Sequence, residues 1–361
     1  MKTEYIILGA LTLMTASACV KEDSSSDAEF QRKYLQLWID TYHNGVVQNN
    51  DGLYILEDKE GDGITINLAG TEDVSDYVYA DVTIRGLDGS ISSTTDEKLA
   101  KQLGNYDKKK AVYYGPRFYK LGKGNSYAGV DALYSGMKLE GTRTAVIPSW
   151  MITTSRYGTQ KEYLSNMSSS ATHLIYTVTP HGHIDDPLMV ELDSIANYVK
   201  RNYPQAKPVT YKTDSAVDNT FYFYSDLDEV PVGEDGMPAE RDSVAKCTVN
   251  YTGRLLNGQV FDTTVEKVAK DAGIYDSGKS YSPVSITYSP KWDAISMGNS
   301  SSLINGFKGA LFLMKYQGQK AVAIFDSTHG YGEAGDTRSN KIPGYSPLVF
   351  EFELVTVVND M

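Results

Sequence analysis

Two stretches of this chain are copies of each other. TTDEKLAKQLGNYD at residues 94–107 aligns without a gap on TTVEKVAKDAGIYD at residues 263–276, and residues 87–91 match residues 256–260 in the same order. A duplicated unit predicts two domains of similar fold, because each copy must bury its own apolar residues. The length of 361 residues also exceeds what one hydrophobic core usually holds.

Each copy is predicted to follow an amphipathic helix. Pro187 suits the first turn of the second helix, and Pro204 lies just past its end. We expect the apolar face of each helix to pack on its own domain, with a short β pattern after it and a candidate linker over residues 204–220. The apolar positions at helical spacing are Phe30, Tyr34, Leu37 and Trp38 in the first helix and Leu188, Leu192, Ile195 and Val199 in the second.

The N-terminal residues have the features of a secretory signal. Lys2 precedes an apolar stretch from Tyr5 to Met14, and small residues then lead to Cys19. This order predicts a lipoprotein signal peptide over residues 1–18 and lipidation, such as palmitate, on Cys19. About 13 apolar residues are too few to cross a hydrocarbon core of about 30 Å as a helix. A flexible tether is predicted over residues 19–28; the alternative is a secreted chain with an incidental cysteine.

Composition narrows the class of partner. The chain has 34 basic and 46 acidic residues and no run of Lys or Arg, which disfavours nucleic acid. Beyond Cys19 only Cys247 remains, so an internal disulfide is excluded. His181, His183 and Asp185 lack a further ligand cluster, which favours a solvated loop over a metal site. We therefore expect a protein or peptide partner and neither metal nor other cofactor.

Five fragments of the second copy resemble, in type and order, the FKBP family of peptidyl-prolyl cis-trans isomerases. They are VNYTGRLLNGQVFD at 249–262, LINGF at 303–307, GYG at 330–332, IP at 342–343 and SPLVFEFEL at 346–354. The resemblance implies an α+β fold with two FKBP-like domains, each a twisted antiparallel β-sheet wrapped on a short helix. It implies a degenerate domain over residues 29–184 and a candidate catalytic domain over residues 185–361, each including its N-terminal helix.

The resemblance implies a proline pocket in the second copy. Rotation about an X–Pro bond crosses a barrier of about 18–20 kcal/mol and needs no nucleophile, so an apolar site with matched donors suffices. The catalytic residues would be Ile304, whose backbone N–H binds a substrate carbonyl, and Asp262 and Tyr331, which fix the backbone around the proline. The substrate-binding residues would be Tyr251, Phe261, Leu303, Phe307, Ile342 and Phe350, with Phe307 standing where the family usually has Trp.

These residues have a second interpretation, because strand aromatics are core residues more often than site residues. The carboxylate of Asp262 favours a site, since it needs a polar partner that pocket tyrosines would supply. Segments 94–97 and 263–266 are predicted to be capping boxes, each opening a short helix in an insertion that gates or fills the pocket. In the first copy most of the pocket is lost, because the equivalent residues are Val82, Ser92, Ser93, Tyr127, Val130, Tyr157 and Tyr176.

Two functions fit this sequence. The first is a peptidyl-prolyl isomerase and folding chaperone that acts on proline-containing peptides or unfolded proteins, with a non-catalytic first domain. Residues 21–23 are similar to the acidic export tag of Bacteroidetes surface lipoproteins; the alternative is a solvated spacer. With the predicted lipid on Cys19, the resemblance implies an anchored protein of the bacterial envelope, at the outer membrane, either periplasmic or surface-exposed. The alternative is a non-catalytic surface lipoprotein that binds protein or glycan. An open pocket beside Asp262 favours the enzyme, and a pocket filled by residues 265–300 favours the alternative.

Overall fold

The fold is described from a computed structural model covering residues 24–68, 76–211, 219–226, 244–289, 294–298, 303–314 and 316–359. The predicted signal peptide, Cys19 and part of the predicted tether lie outside these residues. Parts of the linker candidate and of the 265–300 insertion lie outside them as well. No helix in the described ranges is both long and apolar enough to span a membrane.

Short helices alternate with antiparallel strands along the described chain. The helices are α1 (Ser24–Tyr42), α2 (Glu97–Gln102), α3 (Ala128–Tyr134), α4 (Gln160–Ser165), α5 (Pro187–Asn202), α6 (Glu266–Ala272) and α7 (Asn305–Leu313). The strands are β1 (Tyr54–Lys59), β2 (Tyr77–Gly86), β3 (Ile91–Thr94), β4 (Arg117–Lys120), β5 (Thr142–Ile147), β6 (Leu174–Ile184), β7 (Lys207–Tyr211), β8 (Asn219–Ser225), β9 (Ala245–Leu255), β10 (Val260–Thr263), β11 (Val284–Tyr288), β12 (Ser296–Met297), β13 (Lys320–Phe325) and β14 (Leu348–Asn359).

The strands form two separate sheets, one in each half of the chain. The first has the order β1-β5-β6-β2-β3, with β4 also paired to β2. The second has the order β12-β11-β9-β14-β13-β8-β7, with β10 also paired to β9. Each sheet packs its own buried cluster of apolar residues. The predicted α+β class, with antiparallel sheets and few helices, is confirmed.

Equivalent residues of the two sheets make the same hydrogen bonds. Thr94 pairs with Thr83 in the first sheet and Thr263 with Thr252 in the second, and in each pair the hydroxyls are 2.8 Å apart. The register of each pairing also shifts at an equivalent place, between Ile84 and Arg85 in the first sheet and between Val260 and Asp262 in the second. The next threonine in each copy accepts a backbone N–H from the central strand, at 3.0 Å in the first copy and 2.9 Å in the second.

The short helix of each sheet lies close to a strand because a glycine faces it. A Cβ at Gly129 in α3 would come within 2.2 Å of the Ile147 side chain. A Cβ at Gly306 in α7 would come within 2.5 Å of the Phe325 ring. Both distances are shorter than side-chain carbons tolerate, so glycine at this position sets the spacing between helix and sheet in both halves.

The predicted capping boxes are wrong, although the helices are present. The N-cap of α2 is Asp96, whose carboxylate accepts the N–H groups of Lys98 and Leu99. The N-cap of α6 is Val265, which makes no side-chain capping bond. Thr94 and Thr263 do not cap because their hydroxyls bond to the neighbouring strand. A hydroxyl already held by the sheet is poorly placed to cap a helix.

The predicted buried face of α1 is also largely wrong. Leu35 and Ile39 are fully buried, whereas Phe30 and Leu37 are 65% and 66% exposed. One residue along a helix rotates the side chain by about 100°, so a small error in the assumed stripe exposes the wrong residues. Of the predicted apolar residues in α1, Trp38 packs against the core and donates its ring N–H to the carbonyl of Leu87 at 3.1 Å.

Helix α5 packs on the second sheet. Ile195 and Val199 are buried there against Ile324 of β13 and Val349 of β14. The prediction for Leu192 is wrong, because this side chain is 43% exposed and Glu191 occupies the buried stripe in its place.

Three predicted loop segments belong to regular structure. Residues 207–211 of the linker candidate form β7, which pairs with β8 at the edge of the second sheet. Residues 24–28 of the predicted tether belong to α1. His181 and His183, predicted in a loop, lie in β6, where their rings bond to carboxylates of separate residues.

The two halves are joined by a loop of the second half. Tyr345 lies against the rings of Tyr77 and Phe118, with centroids 5.5 and 5.9 Å apart, and its hydroxyl is 3.0 Å from that of Tyr77. Its φ of 55° is a left-handed conformation that is costly for tyrosine, and the contacts with the first half stabilise it. The carbonyl of Asn340 also accepts the N–H of Tyr113 at 2.9 Å.

Candidate functional site

An aromatic cluster in the second sheet forms the floor of the candidate site. Phe350 of β14 is its centre, with its ring centroid 5.3 Å from that of Phe307, 5.6 Å from Phe261 and 6.1 Å from Tyr251. Phe261, Phe307 and Phe350 are each only 4% exposed. The sequence-predicted floor residues therefore lie together, and they are also part of the core of this sheet.

Gly253 makes this aromatic packing possible. It pairs with Phe350 across β9 and β14. A Cβ at Gly253 would come within 2.4 Å of the Phe261 ring and 3.1 Å of the Phe350 ring. The equivalent residue of the first sheet is Ile84, so the same arrangement of rings is excluded there.

Asp262 joins the floor to a group of polar side chains. The hydroxyl of Tyr251 donates to its Oδ2 at 2.6 Å, and its Oδ1 accepts the Thr263 N–H at 2.9 Å. The ammonium of Lys279 forms an ion pair with the same Oδ1. The carboxylate is about one third exposed, so these partners compensate its partial burial while leaving one side accessible to solvent.

Two tyrosine hydroxyls lie in the field of this carboxylate. Burial, and then Asp262, raise the pKa of Tyr251 well above its ordinary value. Burial also raises the pKa of Tyr331, with smaller effects from Asp336 and Asp262. Both phenols therefore keep their protons at neutral pH. Tyr331 is 40% exposed, so its hydroxyl is available to a ligand beside Asp262.

Ile304 is at the N-cap of α7 and makes no side-chain capping bond. The backbone N–H of an N-cap residue has no intrahelical acceptor, and the positive end of the helix dipole lies beside it. Leu303 and Ile304 are half-buried against the aromatic cluster, and Ile342 is buried. The sequence-predicted pocket residues other than Asp262 and Tyr331 thus belong to or pack on the core cluster of this sheet.

The insertion after β10 adds to the sheet and also reaches the site. Strand β11 pairs with residues 245–249 of β9 along the sheet edge, and β12 pairs with β11. Lys279 is the insertion residue that contacts Asp262, and it also donates to the carbonyl of Thr263 at 3.2 Å. The described part of the insertion therefore extends the sheet and supplies a cation beside the carboxylate.

A buried glutamate supports the loop that carries Tyr331. Glu191 of α5 is 2% exposed, and its carboxylate accepts both the N–H and the hydroxyl of Ser327 at 2.7 Å. Ser327 begins a single 3-10 turn that leads directly to Gly330 and Tyr331. Burial raises the pKa of Glu191 to about 7, although the hydrogen bonds from Ser327 act in the opposite direction.

We expect Glu191 to make the second domain less stable as pH rises. Its folded-state pKa of about 7 exceeds the ordinary 4.5. Between pH 4.5 and about 7 the folded chain binds more protons than the unfolded chain. The stability that protonated Glu191 provides is therefore complete below pH 4.5 and is lost as the pH rises past about 7. In Glu191→Gln the free energy of unfolding should change less over this pH range, by up to about 3 kcal/mol, as measured by urea unfolding. Asp193→Asn, exposed on the same helix, should leave it unchanged; equal pH slopes in wild type and Glu191→Gln would contradict the expectation.

The equivalent positions of the first sheet border a cavity of about 730 Å³. Val82, Ser93, Tyr127, Val130 and Tyr176 all line it. Several of these side chains are smaller than their counterparts in the second sheet. The residues of the proline pocket are replaced there, and a cavity with a different lining remains.

No family model matches the chain. A curated relative, the macrophage infectivity potentiator of Trypanosoma cruzi, is 32% identical to it over 112 residues, which are 31% of this chain and 43% of the relative. The match therefore spans less than half the length of that relative.

Three solved structures show partial likeness. A peptidyl-prolyl cis-trans isomerase of Pseudomonas syringae has 23% identity and a TM-score of 0.30, over 48% of this chain and 94% of its own. FkpA of Escherichia coli has 25% identity and a TM-score of 0.27, over 48% and 63%. The three FKBP domains of a wheat protein have 14% identity and a TM-score of 0.26, over 86% and 97%.

The five sequence fragments of the second half lie in or beside one antiparallel sheet and the short helix α7 that packs on it. The fold is FKBP-like. The sequence did not predict the roles of Lys279 and Glu191 in this FKBP-like half. Lys279 lies in an insertion without a family counterpart. Glu191 lies in a helix whose buried face was predicted from apolar residues alone.

Proposed function

We propose that the second FKBP-like unit, residues 185–361, is a peptidyl-prolyl cis-trans isomerase that acts on proline-containing peptides or unfolded proteins. The observation that carries the proposal is the pairing of Asp262 with the hydroxyl of Tyr251 at 2.6 Å directly above the floor of Phe307 and Phe350. If these rings were only the core of the sheet, an apolar residue would serve better beside them, because burying a carboxylate costs free energy.

In the proposed mechanism the aromatic floor receives the proline ring and excludes water. An apolar environment disfavours the charge-separated resonance form of the X–Pro amide, so the bond twists more easily. The Ile304 N–H would bind the substrate carbonyl, and the hydroxyl of Tyr331 would hold the backbone beside the proline. Asp262 orients Tyr251 and offers an acceptor to a substrate N–H. These contacts accelerate the reaction if they bind the twisted X–Pro amide of the transition state more strongly than the planar amide of the substrate.

Asp262→Val tests this proposal. We expect a loss of roughly tenfold to a hundredfold in kcat/KM, because a hydrogen bond to a charged group contributes about 1.5–3 kcal/mol. Stability should change by no more than about 1 kcal/mol, since the ion pair with Lys279 is partly exposed. Exchange NMR on an X–Pro peptide and urea unfolding of the same samples measure the two quantities.

Two further variants complete this test. Tyr331→Phe should slow turnover with little effect on stability, whereas Lys279→Met should retain the rate, because the carboxylate and Tyr251 remain in place. A structural Asp262 would give the opposite pattern, with a lower melting temperature and an unchanged rate. Wild-type protein with no rate above buffer would favour the non-catalytic binding protein.

We also propose that the chain is a lipid-anchored protein of the bacterial envelope, at the outer membrane, with a first FKBP-like unit over residues 29–184. The support is the apolar stretch before Cys19 and the acidic segment after it. Cys19→Ser should move the protein from the membrane fraction to the soluble fraction, measured by immunoblot of separated envelopes. Retention of the variant in the membrane fraction would exclude the anchor.

A further inference from the structure

Four tyrosines of the first half, from three elements, border the cavity of the first sheet. Tyr119 lies in β4, Tyr176 in β6 and Tyr134 at the end of α3, and Tyr127 is the N-cap of that helix. Two of these positions, Tyr127 and Tyr176, are equivalent to the proposed pocket residues Ile304 and Phe350. A cavity of about 730 Å³ is within the usual size range of small-ligand sites.

The hydroxyl of Tyr134 is buried and has no hydrogen-bond partner among the described residues. The side chain is 1% exposed. Native proteins rarely leave a buried hydroxyl unpaired, because the lost hydration is not compensated. The second sheet has apolar Leu311, 3% exposed, at the equivalent helix position. The first sheet thus places a polar group where its counterpart keeps an apolar one.

These tyrosines line one cavity and affect one another's ionisation. The pKa of Tyr134 is raised first by burial and then by the neighbouring Tyr119 and Tyr176. The pKa of Tyr176 is raised to about 12 by burial, followed by Tyr127 and Tyr119. The phenols of Tyr119, Tyr134 and Tyr176 therefore remain protonated at neutral pH, and each is able both to donate and to accept a hydrogen bond.

The cations of the lining already have other contacts. Arg117 donates to the carbonyl of Tyr113 at 2.9 Å and lies over the Tyr113 ring. Lys120 lies 5.6 Å from the centroid of the Tyr77 ring. The lining also contains a carboxylate, Glu333. The lining therefore has two cations and one carboxylate, and the Nε of Arg117 is buried without a partner among the described residues. The neutral hydroxyls and ring faces outnumber these charged groups.

A proline side chain would leave these hydroxyls unpaired, because it has no polar group of its own. A sugar ring suits them, since its hydroxyls donate and accept while its C–H faces pack on aromatic rings. We propose that the first FKBP-like unit binds a neutral saccharide in this cavity, with the Tyr134 hydroxyl as a buried hydrogen-bonding group. This site is independent of the isomerase proposed for the second unit.

Residues of the second half complete the cavity. Glu333 and Tyr345 belong to the loop before β14, and both line it. A fragment that contains only the first half would therefore lack part of the wall. The binding experiment must use the whole chain after residue 19.

Titration calorimetry with maltohexaose, mannohexaose, xylohexaose and chitohexaose tests the proposal on this chain. We expect at least one of them to bind, and we expect Tyr134→Phe to weaken that binding about tenfold or more. The same variant should melt at or above the wild-type temperature in the absence of sugar, because it removes an unpaired buried hydroxyl. Tyr288→Phe is the matched control, since it removes a buried hydroxyl that donates to the Phe312 carbonyl at 3.3 Å. It should lower the melting temperature and leave sugar binding unchanged.

Two results would overturn the proposal. One is the failure of all four saccharides to bind the wild-type chain at millimolar concentration. The other is binding that Tyr134→Phe and Tyr176→Phe both leave unchanged, which would place the ligand elsewhere. An isomerase assay that fails on the same samples would affect only the second unit, so the two proposals are tested separately.

Discussion

Replacing Phe350 by alanine should destabilise the second unit by about 3–5 kcal/mol and remove most isomerase activity. The side chain is buried, and its ring centroid lies within 6.1 Å of those of Tyr251, Phe261 and Phe307. Alanine would leave a cavity where the proline ring is proposed to rest. Urea unfolding gives the stability, and exchange NMR on an X–Pro peptide gives the rate.

Phe221→Ala is the control for this variant. Phe221 is 1% exposed in β8 and belongs to the same apolar cluster, on a strand that carries none of the proposed site residues. It should cause a similar loss of stability and keep the rate per folded molecule. If both variants lose the rate equally, the effect of Phe350 reflects folding alone and the proposed pocket is not supported.

A fragment that begins at residue 205 should fail to fold under conditions in which a fragment beginning at residue 185 folds. The shorter fragment lacks α5, which buries Ile195 and Val199 on the second sheet. Each such side chain contributes about 1.5–3 kcal/mol, and a domain has only about 5–15 kcal/mol in total. Circular dichroism and urea unfolding of the two fragments measure the difference.

The same comparison includes the loss of Glu191, which leaves Ser327 without its acceptor. Adding Ile195→Asp to the longer fragment should reproduce the loss, because it places a charge in the interface without shortening the chain. Equal stability of all three proteins would show that α5 contributes nothing to the second sheet.

The sequence predicted the large features of the fold because they depend on repeated patterns. The duplicated segment and the strand motifs predicted two antiparallel sheets, each with a short helix, as the structure has them. The faces of α1 and α5 were harder to predict. Both contain more apolar residues than one face holds, and Glu191 is buried because Ser327 on another element binds it. A contact of that kind leaves no local signal.

In the candidate site too, contacts within a sequence motif were predicted and contacts between distant segments were not. The family motif brought Asp262 together with Tyr251, and the structure pairs them at 2.6 Å. Lys279 could have been anticipated only as a cation in an insertion, because its contact with Asp262 depends on the turn that precedes it. The cavity of the first sheet was missed because small residues in place of large ones were taken as the loss of a site. Removing side-chain volume from a wall also creates space.

Tyr345 makes the two copies of the duplicated unit different from each other. Its ring packs against Tyr77 and Phe118 of the other half, whereas the first copy has Ala171 at the equivalent place, three residues before its own last strand. The copies are therefore no longer interchangeable. A gene that exchanged or repeated one half would lose this contact, and a change at Tyr77 would be selected together with a change at Tyr345. Because of this contact the two halves are one structural unit and not two exchangeable repeats.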